Sequence, residues 1–159
     1  MPAITALLFA RNDALRIGRA LETLRFPAEV LVVDDQSSDR TVAVSRQYGA
    51  RVIAAGELAR ASTIPTAQEW IFCITPRESV SEDLEAVLFE WSLLPAGAVL
   101  PGDCFSFGVR EDVDQGSISH AAPETRLVPR DWRIGPDGLP LACPKAQLLA
   151  GTIRRFSLP

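Results

Sequence analysis

One histidine and one lysine are all that the 159 residues contain of those two types. A Ser-His-Asp triad would have to pass through His120, and nothing near it looks like a nucleophile elbow. Cysteine is scarce too. Cys73, Cys104 and Cys143 are odd in number, widely spaced and form no Cys-x-x-Cys pair, so reduced thiols are expected rather than a disulfide or a metal centre. No run approaches about 18 uninterrupted apolar residues, which excludes a membrane-spanning helix. Met1-Pro2-Ala3-Ile4 has neither the basic start nor the small-residue cleavage site of a secretory signal, so a cytoplasmic location is expected. A basic excess is also missing. With 16 Lys and Arg against 20 Asp and Glu, the net charge of −4 argues against a nucleic-acid partner. All basic residues except Lys145 are arginine, and a bias spread along the whole chain assigns no role to any single one.

What is present suits one α/β domain. The length matches a single domain at roughly 100–200 residues each. A chain of this size buries about 70% of its unfolded surface, so no disulfide or structural metal is required for folding. Ile4 to Phe9 and Glu29 to Val33 are short, nearly continuous apolar runs, the pattern of strands covered on both faces. Asn12 or Asp13 is expected to cap a helix with Ile17, Leu21 and Leu24 on one side. Ser38 or Asp39 is expected to cap another over Thr41 to Tyr48, closed by Gly49. Arg51 to Ala54 and Trp70 to Ile74 read as further strands, with a weak helix or loop over Gly56 to Gln68 between them. Ser79 and Glu82 have capping-box spacing ahead of Leu84, Val87, Leu88 and Trp91. Residues 1–93 therefore alternate strand and helix, which implies a mainly parallel sheet.

The remainder differs. Eight of the 12 prolines and seven of the ten glycines lie at or beyond Pro95. Short strand candidates stand between them at Ala98–Leu100, Cys104–Arg110, Gly116–His120 and Thr125–Val128, and residues 154–159 are expected to fray. The expected architecture is one domain over 1–159, with a loop-rich antiparallel extension of the parallel sheet.

Ligands of open α/β sheets bind beyond the carboxyl ends of the strands. That rule selects Ala10-Arg11-Asn12, the stretch Asp34 to Asp39 and Thr75-Pro76-Arg77-Glu78. Asp34 and Asp35 follow a Val-Leu-Val-Val run, where two adjacent carboxylates repel one another and resist desolvation. Asp34 suits the ordering of the turn. Asp35 suits a ligand, accepting from a base N–H or a ribose hydroxyl.

ITALLFARND, then EVLVVDDQSSDRT, then EWIFCITPRE with SVSEDL, resembles the family-2 glycosyltransferases of the GT-A fold over about residues 3–90. Members of that family end their first strand in a Thr-Tyr-Asn-Glu-like turn, a later one in Asp-Asp-Gly-Ser-x-Asp-x-Thr, and another in an Asp-x-Asp metal motif. The resemblance implies a GT-A-like α/β fold, with 1–93 as nucleotide-binding half and 94–159 as a reduced acceptor half. It carries Asn12 to the turn asparagine and Asp35 to the aspartate that holds the uracil N–H. Ala10 and Arg11 stand where threonine and tyrosine are common around the base, with Asp34 beside them. Arg60 corresponds to a basic residue that approaches base or phosphate. The metal motif is replaced by Ile74-Thr75-Pro76-Arg77-Glu78, in which both bridging carboxylates are gone. Thr75 is a poor ligand and Arg77 repels a cation, so no metal cofactor is expected. Arg77 then either stabilises the diphosphate in its place or, where catalysis has been lost, is simply a surface residue beside a helix start.

Inverting members take a general base from the second half. Glu111 and Asp112 are the candidates here, Asp103 a weaker one, while Glu111, Asp112 and Asp114 also suit a solvated charged turn. Trp132, in a stretch faintly similar to lipopolysaccharide-core-type members, suits either a stacked sugar or a plug at the sheet edge. The expected activity is transfer of a sugar from a nucleotide-diphosphate donor, UDP-linked, to a hydroxyl on a glycan or lipid-linked acceptor in cell-envelope or polysaccharide synthesis. The alternative is a non-catalytic GT-A-like module that binds a nucleotide, a glycan or a protein. A homodimer is compatible with both.

Overall fold

The computed structural model describes residues 3–112 and 118–157. The expectations placed on Asp114 and Gly116 and on the last two residues lie outside them. Eight strands form one mixed sheet. Its first half is parallel: β1 (Ile4–Ala10) lies between β2 (Glu29–Asp34) and β4 (Trp70–Cys73), and β3 (Arg51–Ala54) pairs with the far side of β2. The unbroken apolar run of β1 follows from burial on both faces. Ile4, Ala6, Leu8 and Ala10 pack into one core, and Leu7 into the other.

The first core lies under α1 (Ile17–Glu22), α2 (Thr41–Gln47) and α4 (Glu82–Ser92). Edge-to-face rings run through it, Phe26 on Phe72 on Phe107, and Trp70 on Trp91 on Phe105. Over the second core, among the described residues, lies one short helix, α3 (Ala55–Arg60). The rest of that layer is the irregular segment 130–146, whose Trp132, Ile134 and Leu139 pack down on the sheet. Trp132 donates its indole N–H to the Leu141 carbonyl at 2.8 Å, which fixes the ring against its own segment.

The second half departs from expectation in several places. Ala98–Leu100 forms no strand. Gly116–His120 and Thr125–Val128 lie along one strand, β7 (Ile118–Pro129), as far as the described residues extend; it runs antiparallel to β4 and to β6 (Phe105–Asp112). Of the segment expected to fray, Arg154 to Phe156 belong to β8 (Gln147–Phe156), which is parallel to β6 and antiparallel to β5 (Glu78–Val80). Its ladder is made entirely with distant residues, so local composition gives little sign of it. Because 78–80 is a strand, Ser79 does not cap α4. Ser81 does, accepting from the Leu84 N–H at 3.4 Å. Helix α1 has no side-chain cap either; the Asp13 carbonyl receives the Arg16 and Ile17 N–H groups. The cysteine expectation is also corrected. Cys104 and Cys143 form a disulfide, because the start of β6 and the end of the covering segment converge on the second core. Cys73 stays a free thiol, pushed up to about 12 by burial.

Strand β5 follows β4 by four residues yet ends the strand order on the far side, so the sheet curls back on itself. Gly151 lets β8 bulge past α4: its φ is +100° and an added Cβ would stand 2.6 Å from Leu84 Cα. Gly151→Ala is expected to destabilise by about 2–3 kcal/mol, from strain at positive φ and contact with helix backbone that cannot yield. Urea unfolding measures it, and a loss under about 0.5 kcal/mol would contradict that packing.

Candidate functional site

At the carboxyl ends of β1 and β2 two loops are bound into one unit. The parallel ladder runs to Ala10 beside Asp34, and the Asp35 N–H extends it to the Ala10 carbonyl at 2.9 Å. Beyond that point both chains turn through left-handed residues, Asn12 at φ 53° and Gln36 at φ 56°. Asparagine tolerates this region better than most side chains, and here its amide is used as well. Asn12 Oδ1 accepts from the Ser38 N–H at 2.8 Å, and its backbone N–H donates to Ser37 Oγ at 2.9 Å.

The rest of the Asp34 to Thr41 stretch is also occupied. Asp34 Oδ2 accepts from the Ser37 N–H at 3.2 Å. Asp39 accepts from the Thr41 N–H at 2.9 Å through Oδ1 and from the Ala14 N–H at 3.1 Å through Oδ2. The Thr41 hydroxyl in turn receives the Asp13 N–H at 2.8 Å. Asp39 thus braces the start of α2 and joins it to the β1 loop, although the helix begins from Arg40 without the side-chain cap expected of Ser38 or Asp39. One side chain of the acidic pair has no such duty. Asp35 is 56% exposed, and its nearest cation is Arg11 at 3.7 Å.

Asp35 lines a cavity of about 400 Å³ whose wall mixes Phe9, Val33, Ala55 and Pro136 with Arg11, Asp13 and Asp137. Apolar flanks with a few fixed polar groups suit a flat heterocycle with an N–H to donate. Pro136 and Asp137 arrive from the covering segment a hundred residues later, and the sequence offers no local sign of their part. Gly138 keeps that segment close: an added Cβ would stand 2.7 Å from Phe9 Cγ. A neighbouring gap of about 520 Å³ between α3 and the same segment shares Phe9, Ala55 and Pro136. Arg60, exposed at the end of α3, lines neither.

The other candidates lie apart from Asp35. Thr75 is half-buried, its N–H donating to Glu78 Oε1 at 2.9 Å. Arg77 is exposed, its carbonyl taking the Phe156 N–H at 2.8 Å. Glu78 is fully buried and receives both Arg126 Nη1 and Nη2 at 2.8 Å, while Arg126 Nη1 also reaches the Cys73 carbonyl at 3.2 Å. Burial pushes the Glu78 carboxyl up, but the hydrogen bonds and charge of Arg126 outweigh it and hold the group below the ordinary range. The same pairing raises Arg126. Arg126 falls in the Arg-Leu stretch faintly similar to lipopolysaccharide-core-type members, but no sequence pattern paired it with Glu78.

Glu111 pairs with Arg155 at 3.0 Å, and Asp112 with Arg154 at 2.7 Å and Arg110 at 3.0 Å. The Arg154 hydrogen bond holds Asp112 below the ordinary carboxylate range. A carboxylate so paired keeps its charge to lower pH and is a weaker base. The donor set at the end of β4 does not fit a divalent ion: threonine, proline and arginine supply no carboxylate, and both Glu78 oxygens are held by a guanidinium. Among the described residues no group of three or more His, Cys, Asp or Glu converges, and no helix is long and apolar enough to cross a membrane.

No family model matches the chain. Over 92 residues, 54% of this chain and 32% of the other, it is 35% identical to an uncharacterized glycosyltransferase of Rickettsia felis. The chain thus spans about a third of that relative's length. The fold matches the crystal structure of Staphylococcus aureus TarS 1-349 with TM-score 0.50 and 16% identity, over 72% of this chain and 37% of that one. A mycobacterial protein matches with TM-score 0.62 and 13% identity, over 99% of this chain and 68% of the other. The architecture is the GT-A-like mixed sheet, and the chain is similar to family-2 glycosyltransferases of that fold.

Proposed function

We propose that the chain binds a nucleoside-diphosphate sugar through residues 1–93 and transfers the sugar to a hydroxyl acceptor held by a reduced second half. The observation that carries this reading is the division of labour in the acidic stretch. Asp34, Ser37, Ser38 and Asp39 brace loops, and of that stretch Asp35 alone lines a cavity of nucleoside size. In this reading Asp35 accepts the N–H of uracil, Phe9 and Pro136 flank the ring, and Arg11 leaves its ion pair to cover it. Likeness to glycosyltransferases supports a nucleotide-sugar donor. Single displacement would invert the anomeric carbon. Glycan or lipid-linked acceptors of cell-envelope synthesis, a metal-independent reaction in the cytoplasm and a homodimer belong to the same proposal.

Calorimetric titration with uridine and UDP tests the nucleoside site. Asp35→Asn is expected to weaken uridine binding by roughly 10–150-fold, the worth of one hydrogen bond to a charged acceptor. Melting should not change, because the exposed Asp35 carboxylate makes only a 3.7 Å ion pair. Equal affinity in the variant, or no uridine binding at millimolar concentration, sinks the assignment. A second reading rests on one specific observation: both candidate bases are committed to arginines. In that case the domain binds the nucleotide without turnover, and UDP-sugars bind but release no UDP in the presence of any hydroxyl acceptor.

A further inference from the structure

Beside the Thr75-Pro76-Arg77 turn stands a group of arginines for which the nucleoside site has no use. Arg16 and Arg19 lie one turn apart at the start of α1, and Arg154 lies near the end of β8. The Phe156 ring organises two of them: the Arg19 guanidinium carbon sits 3.7 Å from its centroid and that of Arg154 5.2 Å. The Phe156 N–H is tied to the Arg77 carbonyl at 2.8 Å, which fixes this corner against the turn where the related enzymes carry their metal motif. It also adjoins the Asp35 cavity. Asp13, which lines that cavity, stands 3.3 Å from Arg16 Nε.

Charge in the corner is unbalanced. Asp13 faces Arg16, and Asp112 is shared between Arg154 and Arg110, but among the described residues no carboxylate lies within 4.0 Å of Arg19. Three guanidinium nitrogens, Arg19 Nε and Nη2 and Arg154 Nε, are buried without a hydrogen-bond partner among those residues, and Arg16 Nε is buried with the Asp13 carboxylate 3.3 Å away but outside hydrogen-bond geometry. Burial first, then repulsion from Arg154 and Arg16, lowers the Arg19 pKa. Buried donors without acceptors are costly, and like charges gathered on one ring add repulsion. An anion with several acceptor oxygens removes both penalties at once.

We infer that Arg19 and Arg154, gathered on Phe156, form with the neighbouring Arg16 a binding site for a phosphate-type anion. The site supplies fixed positive charge where the residues cannot hold a divalent ion. This rests on the proposed donor site only for the source of the anion, which is either the diphosphate of the donor or a phosphate group on the acceptor. Inorganic pyrophosphate titrated in EDTA is the test, with Arg19→Gln and Arg16→Gln beside the parent protein. Arg154 is left intact because it also holds Asp112. Saturable binding, weakened at least tenfold in both variants with circular dichroism unchanged, is the expected result. Absence of binding by the parent protein, or equal binding by both variants, overturns the site. Adding UDP separates the sources: displacement of pyrophosphate assigns the site to the donor, and simultaneous binding assigns it to a phosphorylated acceptor. Pyrophosphate binding that survives while uridine binding fails in the parent protein removes the nucleoside assignment and leaves the anion site standing.

Discussion

Replacing Arg126 by methionine is expected to lower the unfolding free energy by about 3–5 kcal/mol, the range for breaking a buried ion pair by removing one partner. Arg126 is fully buried and donates to Glu78, to Glu124 and to the Cys73 carbonyl. It is the bolt that holds the turn after β4 inside the curled half of the sheet. Without it the Glu78 carboxylate stays buried, with Arg155 at 3.2 Å as its remaining side-chain donor. The size of the effect comes from that stranded charge rather than from the attraction itself. Arg126→Met combined with Glu78→Leu should therefore recover much of the loss, since an apolar pair of similar volume is often neutral.

The pH dependence carries a sign that can be checked. Glu78 is held below its ordinary value in the folded protein, so its stabilisation is fully present above an unfolded pKa of about 4.3 and is lost as pH falls through the folded value. In the methionine variant burial acts with less opposition and the carboxyl pKa rises. The deficit of the variant should accordingly be largest near pH 8 and narrow toward pH 5. Urea melts at the two pH values measure it. A deficit below about 1 kcal/mol, or one independent of pH, would mean that the pair is not the closed, desolvated contact described here.

How far the sequence could be read depended on the range of the contacts. Strands β1 and β2 and the loops that follow them were legible because their pairing is parallel and doubly buried, which leaves continuous apolar runs. The role of Asp35 was legible as a candidate, but its isolation was not. That emerges only when Asn12, Ser37, Ser38, Asp39 and Thr41 are seen to satisfy one another across 25 to 28 residues. Glu78 looked like a remnant of a metal motif; in the fold it is a buried partner of an arginine 48 residues away. Strand β8 left almost no local trace. Its sequence has a glycine at a bulge and two arginines near its end, and its partners are β6 and β5. The arginine corner was hidden for the same reason, since α1 and β8 meet only after the sheet has curled.

Reduction of the Cys104–Cys143 bridge is expected to cost about 4 kcal/mol, from the chain entropy that a loop of this length returns to the unfolded state. The bridged residues are 39 apart, and the loop they close contains β7 and most of segment 130–146. That segment covers the second core in place of a helix, and it holds Pro136 and Asp137 against the Asp35 cavity. A layer without regular backbone hydrogen bonding depends more on such a tether than one built of helices. The loss should therefore be concentrated there: hydrogen exchange in 130–146 should rise before that of β1, β2 and β4. Thiol titration of the unreduced, denatured protein should find Cys73 alone. The melting temperature should drop by roughly 8–16 °C with reductant or in Cys143→Ser, at about 2–4 °C per kcal/mol for a chain of this size. Uridine affinity should fall with it if the wall of the cavity loosens. Three reactive thiols, or a melt indifferent to reductant, would show that the covering segment stands without its bridge.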